Sequence, residues 1–257
     1  FDSDQIVLVR WFIRALEVGY RPSALENLEV DGIRTLVSAA QPSQRLRARR
    51  SDVSLDRWLE HVSNLDTEGL KSAMTTAWSR VGALEFLSAF ISEFLDQIGQ
   101  GWADGHFSIA QEHAASACIS DFLSTRWRQL SQGSTGPRVV LATLPGERHS
   151  LGLDQAAVVV AMHGLQVHFL GVDTPADELA NAATVLDAQA ILVSVSTSSS
   201  TEQTRRHLEE LRSRMPIGME LVVGGRGTPP GTAERIESMR ALDAWASTQA
   251  ATLDLSH

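Results

Sequence analysis

Three scarcities bound what this chain can be. It holds one cysteine, Cys118, so no internal disulfide framework is available and a reducing, cytoplasmic setting is expected. No apolar run approaches the ~20 residues a spanning helix needs, and stretches such as 156–162 stop far short, so no membrane association is expected. Positive charge is also short. The 22 Lys and Arg against 31 Asp and Glu leave a net charge of -9, which disfavours phosphate-backbone binding by the chain as a whole, though not a local basic patch. Lys71 is the single lysine, which we read as composition and not function. No secretory leader pattern stands at the start. Because the sequence opens on Phe1 and not on methionine, a segment upstream of it is expected.

What remains is an ordinary globular composition. With 43% hydrophobic and 21% charged residues in 257, there is enough chain for one large or two medium domains. It divides into three segments. In 1–50, apolar positions from Ile6 to Leu16 recur at helical spacing, Gly19 is a stop, and a shorter helix with Leu25, Leu28, Ile33 and Leu36 follows. Phe1-Asp2-Ser3-Asp4, Arg10–Leu16 and Gly19–Leu25 resemble the tail end of a MerR-type winged-helix domain, whose helix-turn-helix would lie upstream of Phe1. A polar linker with Arg45, Arg47, Arg49 and Arg50 follows; such a cluster is either solvated or in contact with phosphate.

Segment 51–133 lacks proline and carries helical stripes. Leu55, Trp58, Leu59 and Val62 form the first. A second opens at Asp66-Thr67-Glu68, a third runs from about Ala83 to Ile98, and a fourth from about Ser108 to Leu130. Four amphipathic helices with short joints predict an up-down bundle. Gln132–Pro137 is a linker, and in 134–257 the period changes. Strand-length runs at Val139–Leu141, Val167–Leu170, Ala190–Val195 and Leu221–Val223 alternate with helical stretches at Leu153–His163, Ala176–Leu186 and Glu202–Met215, and residues 231–254 read as a closing helix. That alternation predicts right-handed βαβ units and a parallel, Rossmann-like sheet.

Ligands in such sheets bind at the carboxyl ends of the strands. There stand Glu147-x-His149-x-x-Gly152 after the first strand, Ser194-Val195-Ser196 after a central one, and Gly224-Gly225-Arg226-Gly227 after a later one. Each is weak alone, since a loop histidine is usually just that. In the bundle, Trp102 precedes Glu112-His113 by nine intervening residues, and Ile109, Glu112 and His113 share one helix face.

In their order, the α/β motifs resemble the cobalamin-binding domain of methionine synthase, methylmalonyl-CoA mutase and corrinoid proteins, which carry Asp-x-His-x-x-Gly, Ser-x-Leu and Gly-Gly. The Trp-x9-Glu-His spacing resembles the sensory bundle of the CarH/LitR light-dependent repressors and the related AerR antirepressors. The resemblance implies His149 as lower ligand to cobalt, replacing the vitamin's own base, with Glu147 holding the other ring nitrogen. It implies that Gly152 permits close approach and that Ser194, Ser196, Gly224 and Gly225 line the slot for the displaced nucleotide tail. It further implies adenosylcobalamin capped by Trp102, Ile109 and Glu112, a cobalt–carbon bond cleaved by light, and His113 as upper ligand afterwards. The sequence departs from the pattern twice: Glu147 stands for Asp, and Ser196 for Leu, which loosens the tail-slot assignment. The expected output is a light-dependent homo-oligomer, with DNA reached only through a domain upstream of Phe1 or a partner regulator. Two alternatives stay open: a corrinoid module for methyl transfer, and a stand-alone sensor that binds a bilin besides cobalamin.

Overall fold

The computed structural model describes residues 54–251 except 234, together with 25, 28–30, 32, 33 and 35. Leu55–His257 forms one compact unit and Phe1–Ser54 another, in which Leu25 and Ile33 are buried. The MerR-like stretches 1–4, 10–16 and 19–24 and the arginine cluster 45–50 lie outside the described residues. Among the described residues no helix is long and apolar enough to cross a membrane.

The larger unit begins with helices. α1 (Leu55–Ser63) and α2 (Thr67–Val81) are joined by a tight turn whose Asp66 caps α2 by accepting the Gly69 N–H. A short α3 (Ala83–Glu85) runs through a π-helical stretch, Phe86–Ile91, into α4 (Ser92–Ala103). α5 (Ile109–Leu130) opens on a capping box in which Ser108 and Gln111 satisfy each other's backbone N–H groups. The core is aromatic: Trp58 meets Phe94 edge-on at 5.0 Å, and Phe86 lies between Trp58, Trp78 and Phe122. α4 runs past Ile98, the last apolar position of the predicted stripe, to Ala103. Gly99 and Gly101 do not break it, and the turn comes instead at Gly105, at φ 76°. Gly101 is needed there because the Phe107 ring would lie 2.6 Å from a Cβ. The turn thus separates Trp102, near the end of α4, from Ile109, at the start of α5.

The α/β part runs β1 (Arg138–Ala142), α6 (Leu151–Met162), β2 (Gln166–Gly171), α7 (Ala176–Val185), β3 (Ala190–Ser194), α8 (Thr201–Arg214), β4 (Glu220–Gly224), β5 (Arg235–Ile236) and α9 (Met239–Ala251). All strand pairs are parallel, in the order β2-β1-β3-β4-β5. The expected alternation is therefore found, with one addition. The stretch 231–254 is not one helix: Arg235 and Ile236 pair with Val223 and Gly224 before α9 begins. Two residues are too few to carry a period, so the sequence pattern could not register this strand.

α6 is apolar on every side because it is covered on every side, by the sheet, by α5 and by α9. Small residues Ala156, Ala157 and Ala161 let the neighbours close on it. One buried carboxylate interrupts this layer. Asp154 accepts the hydroxyls of Ser120 (2.7 Å) and Ser124 (3.1 Å) from α5, and burial pushes its carboxyl above the ordinary value against those hydrogen bonds. At the rim, the Arg226 guanidinium grips both oxygens of Asp96 on α4. Both side chains are more than half exposed, so this pair contributes about 0–1 kcal/mol. Apolar burial along α6 holds bundle and sheet together; the ion pair only bridges them at the rim.

Candidate cobalamin site

In the sheet order the chain turns outward in opposite directions from β1, so the loops after β1 and β3 flank a topological switch point. The β1 loop carries Glu147 and His149, and the β3 loop carries Ser196 and Ser199. Glu147 is 4% exposed and joins the two. One oxygen accepts the His149 N–H at 2.8 Å and faces the His149 Nδ1 at 2.6 Å. The other accepts the Ser196 N–H at 2.8 Å and the Ser199 hydroxyl. Burial pushes this carboxyl up, but the hydrogen bonds from Ser196, Ser199 and the two amides outweigh it, and the pKa falls to about 2.

An ionised carboxylate only accepts, so the ring nitrogen facing it carries the proton. His149 is then the tautomer with its Nε2 lone pair free, on a side chain 62% exposed. The Ser196 hydroxyl lies 3.2 Å from the same Nδ1. Such an oriented imidazole is the donor a metal requires, and its orienting partner ordinarily contributes about 10–100-fold in affinity. Among the described residues no three His, Cys, Asp or Glu side chains could enclose an ion.

Because the folded-state pKa of Glu147 lies below the ordinary 4.5, its contribution to stability is fully present above that value and is lost as pH falls toward 2. The stability gap between the wild type and Glu147→Gln is expected to be widest at neutral pH and to narrow across this window. Urea unfolding at pH 7, 4.5 and 3 measures it, and a gap independent of pH would contradict the assignment.

The remaining sequence-selected residues fall into two groups. On the sheet side, a Cβ on Gly152 would stand 2.5 Å from the Ser194 Oγ, so Gly152 lets α6 close on β3. Gly224 has room: a Cβ there meets only the Ile236 carbonyl, at 3.9 Å. The close approaches are at its neighbours. A Cβ on Gly225, at φ 106°, would lie 2.2 Å from the Val195 carbonyl, and one on Gly227 would lie 1.8 Å from the Ser196 carbonyl. Gly227 and Ser199 were not singled out by sequence. The signal for Gly227 was present in the loop's third glycine; Ser199 sits in a serine run with nothing to distinguish it.

On the bundle side, Trp102 is 52% exposed and Ile109 60% exposed, both large for open surface. Glu112 accepts the Ser116 hydroxyl at 2.8 Å, and its other oxygen lies 3.5 Å from the His113 Nε2. Among the described residues no hydrogen bond or ion pair links these four to Glu147 or His149. A groove of about 680 Å³ lined by Met215, Ile217, Arg235 and Trp245 shares no residue with either group.

Residues 137–244 match the B12 binding domain family, and residues 54–125 match a second family of the same description. The first match covers the sheet and the second covers most of the bundle. The sheet and most of the bundle thus each match a class of cobalamin-binding domain, and cobalamin is the cofactor. The chain is similar to two HTH-type transcriptional repressors of Myxococcus xanthus. CarH is 32% identical over 148 residues, covering 56% of this chain and 49% of the relative. CarA is 27% identical over 203 residues, covering 79% and 67%. The chain thus spans about half the length of the one and about two thirds of the other. The structure of the Methanosarcina barkeri monomethylamine corrinoid protein shares the fold, with a TM-score of 0.60 at 15% identity over 74% of this chain and 95% of that one.

Proposed function

We propose that this chain is the sensory part of a cobalamin-dependent light-responsive regulator. The observation that carries the reading is two-sided. A carboxylate-oriented imidazole, His149, stands on the carboxyl edge of the sheet, and an adjoining bundle leaves an indole and an aliphatic side chain, Trp102 and Ile109, open to solvent. The likeness to two transcriptional repressors supports a regulatory output.

In this reading His149 is the lower ligand through Nε2, and Glu147 fixes its tautomer. The Gly225 and Gly227 backbone and the Ser194 and Ser196 segment line the slot for the nucleotide tail. Trp102, Ile109 and Glu112 cover the upper, adenosyl-bearing side. Covering Trp102 and Ile109 returns about 1.5–3 kcal/mol for each side chain fully removed from water, so the cap has a driving force to close over the cofactor. Bound adenosylcobalamin supplies a cobalt–carbon bond that visible light breaks. His113, 74% exposed, is the side chain on this face free to become the upper ligand afterwards. Its move would disturb Glu112 and, through α5, the Ser120 and Ser124 contacts to Asp154. That is a physical route from the cofactor to the packing of bundle on sheet, and so to a homo-oligomer whose assembly responds to light. DNA would be reached through a further domain or a partner regulator.

Protein loaded with adenosylcobalamin in the dark is expected to change its visible spectrum on illumination and to shift in size-exclusion elution volume. Retention of the dark spectrum and the dark elution volume under light would end this reading. Methyl transfer to or from a partner methyltransferase would favour a corrinoid module, and a far-red band in purified protein would reveal a bilin.

A further inference from the structure

Glu147 is held by its backbone as well as by its side chain. Its carbonyl accepts the Thr143 hydroxyl at 2.6 Å and the Asp173 N–H at 3.1 Å. The same Asp173 N–H lies 3.0 Å from the Thr143 Oγ1, and the Asp173 carboxylate accepts the Gly146 N–H at 2.7 Å. The Thr174 N–H closes the seam on the Thr143 carbonyl at 3.1 Å. Thr143 is wholly buried, and Asp173 sits at φ 56°, a conformation that asparagine, aspartate and glycine tolerate and most residues avoid. The loop after β2 is therefore stitched to the loop after β1 at the two residues that precede His149 by two and three positions. None of these seam hydrogen bonds involves the His149 ring.

We propose that Thr143 and Asp173 are positioning residues for the lower ligand: they set the backbone from which Glu147 and His149 project, and so govern whether His149 reaches cobalt, separately from whether the corrin is held. The inference rests on the His149 reading above. Corrin retention depends on the glycine loop and the cap as well, whereas ligation by one imidazole tolerates little displacement. Loss of the seam should thus leave cobalamin bound but without its histidine.

The test uses full-length chain containing ¹⁵N-histidine, loaded with cobalamin and reduced to the cobalt(II) form. Electron paramagnetic resonance then shows a doublet splitting from a ¹⁵N lower ligand, against a triplet from the cofactor's own ¹⁴N base and none from water. Wild type, Thr143→Ser and Asp173→Asn, which keep the donor or the acceptor, are expected to show the doublet. Thr143→Val and Asp173→Gly are expected to lose at least half of it while binding cobalamin within about tenfold of wild type. Asp173→Gly removes the acceptor without straining the backbone, so it remains decisive if Thr143→Val folds poorly. A full doublet in Asp173→Gly overturns the proposal, as does a loss of cobalamin binding that parallels the loss of the doublet. A wild-type spectrum without the doublet overturns the His149 reading itself, and the proposal falls with it.

Discussion

Gly227→Ala is expected to destabilise the protein by about 3 kcal/mol or more, lowering the melting temperature by roughly 6–12 °C, and to abolish measurable cobalamin binding. The added Cβ would stand 1.8 Å from the Ser196 carbonyl oxygen and 2.5 Å from its carbon. These are backbone atoms, so no rotamer change relieves the contact; one of the two loops must move. The Ser196 segment cannot move without disturbing Glu147, because the Ser196 N–H is one of the donors that hold its carboxylate. A steric change in the glycine loop thus reaches the lower ligand through two hydrogen bonds. Gly224→Ala is the control. Its Cβ would find the nearest atom at 3.9 Å, so stability should change by under about 1 kcal/mol. Thermal unfolding and a cobalamin titration of both variants decide the matter. Equal melting temperatures would mean that the close approach at Gly227 does not constrain the loop.

That pair of glycines also shows where sequence reading stopped. Periodicity located four strands and seven helical stretches to within a few residues, because α6 and the central strands are covered on both faces while α1 and α2 are covered on one. Motif spacing selected His149 and Glu147, since those residues lie two apart on one turn. It could not tell which glycine in Gly224-Gly225-Arg226-Gly227 was sterically required, because the constraint comes from the Val195 and Ser196 carbonyls on a neighbouring strand end. For the same reason Ser199 and Thr143 were silent, and Gly171-Val172-Asp173-Thr174-Pro175 resembled the family's second loop without showing what Asp173 holds: each acts through a partner that is distant in sequence or through backbone atoms. The Arg226–Asp96 contact spans 130 positions and joins two domains through a pairing that no spacing in the sequence marks. The replacement of Asp by Glu at 147, a departure from the family pattern, has a local explanation. The longer side chain reaches the Ser196 amide and Ser199 hydroxyl with one oxygen while the other stays on His149.

The other large effect separates the two histidines. His149→Ala is expected to weaken cobalamin binding by about tenfold, on the order of 1.4 kcal/mol, since even a residue that only orients a metal ligand is worth about 10–100-fold. The substitution also leaves Glu147 as a buried anion without its imidazole partner, and a truncated charge-assisted hydrogen bond costs about 1.5–3 kcal/mol by itself. Glu147→Gln in the His149→Ala background should therefore recover stability without recovering affinity, which distinguishes loss of the ligand from loss of the fold. His113→Ala should behave differently. Its side chain is 74% exposed, and its Nε2 lies 3.5 Å from the Glu112 carboxylate, too far for a short hydrogen bond. Dark affinity should stay within about threefold of wild type, because an exposed side chain without such a partner contributes little to stability or to closure of the cap. After illumination the spectrum of the variant should differ from that of the wild type, and the corrin should dissociate faster, because the upper position is then left to water. The measurements are dark equilibrium titration and, on the lit protein, release into a large excess of unlabelled protein. If His113→Ala weakens dark binding as severely as His149→Ala, or leaves the lit spectrum and release rate unchanged, the two rings do not divide the lower and upper positions between them.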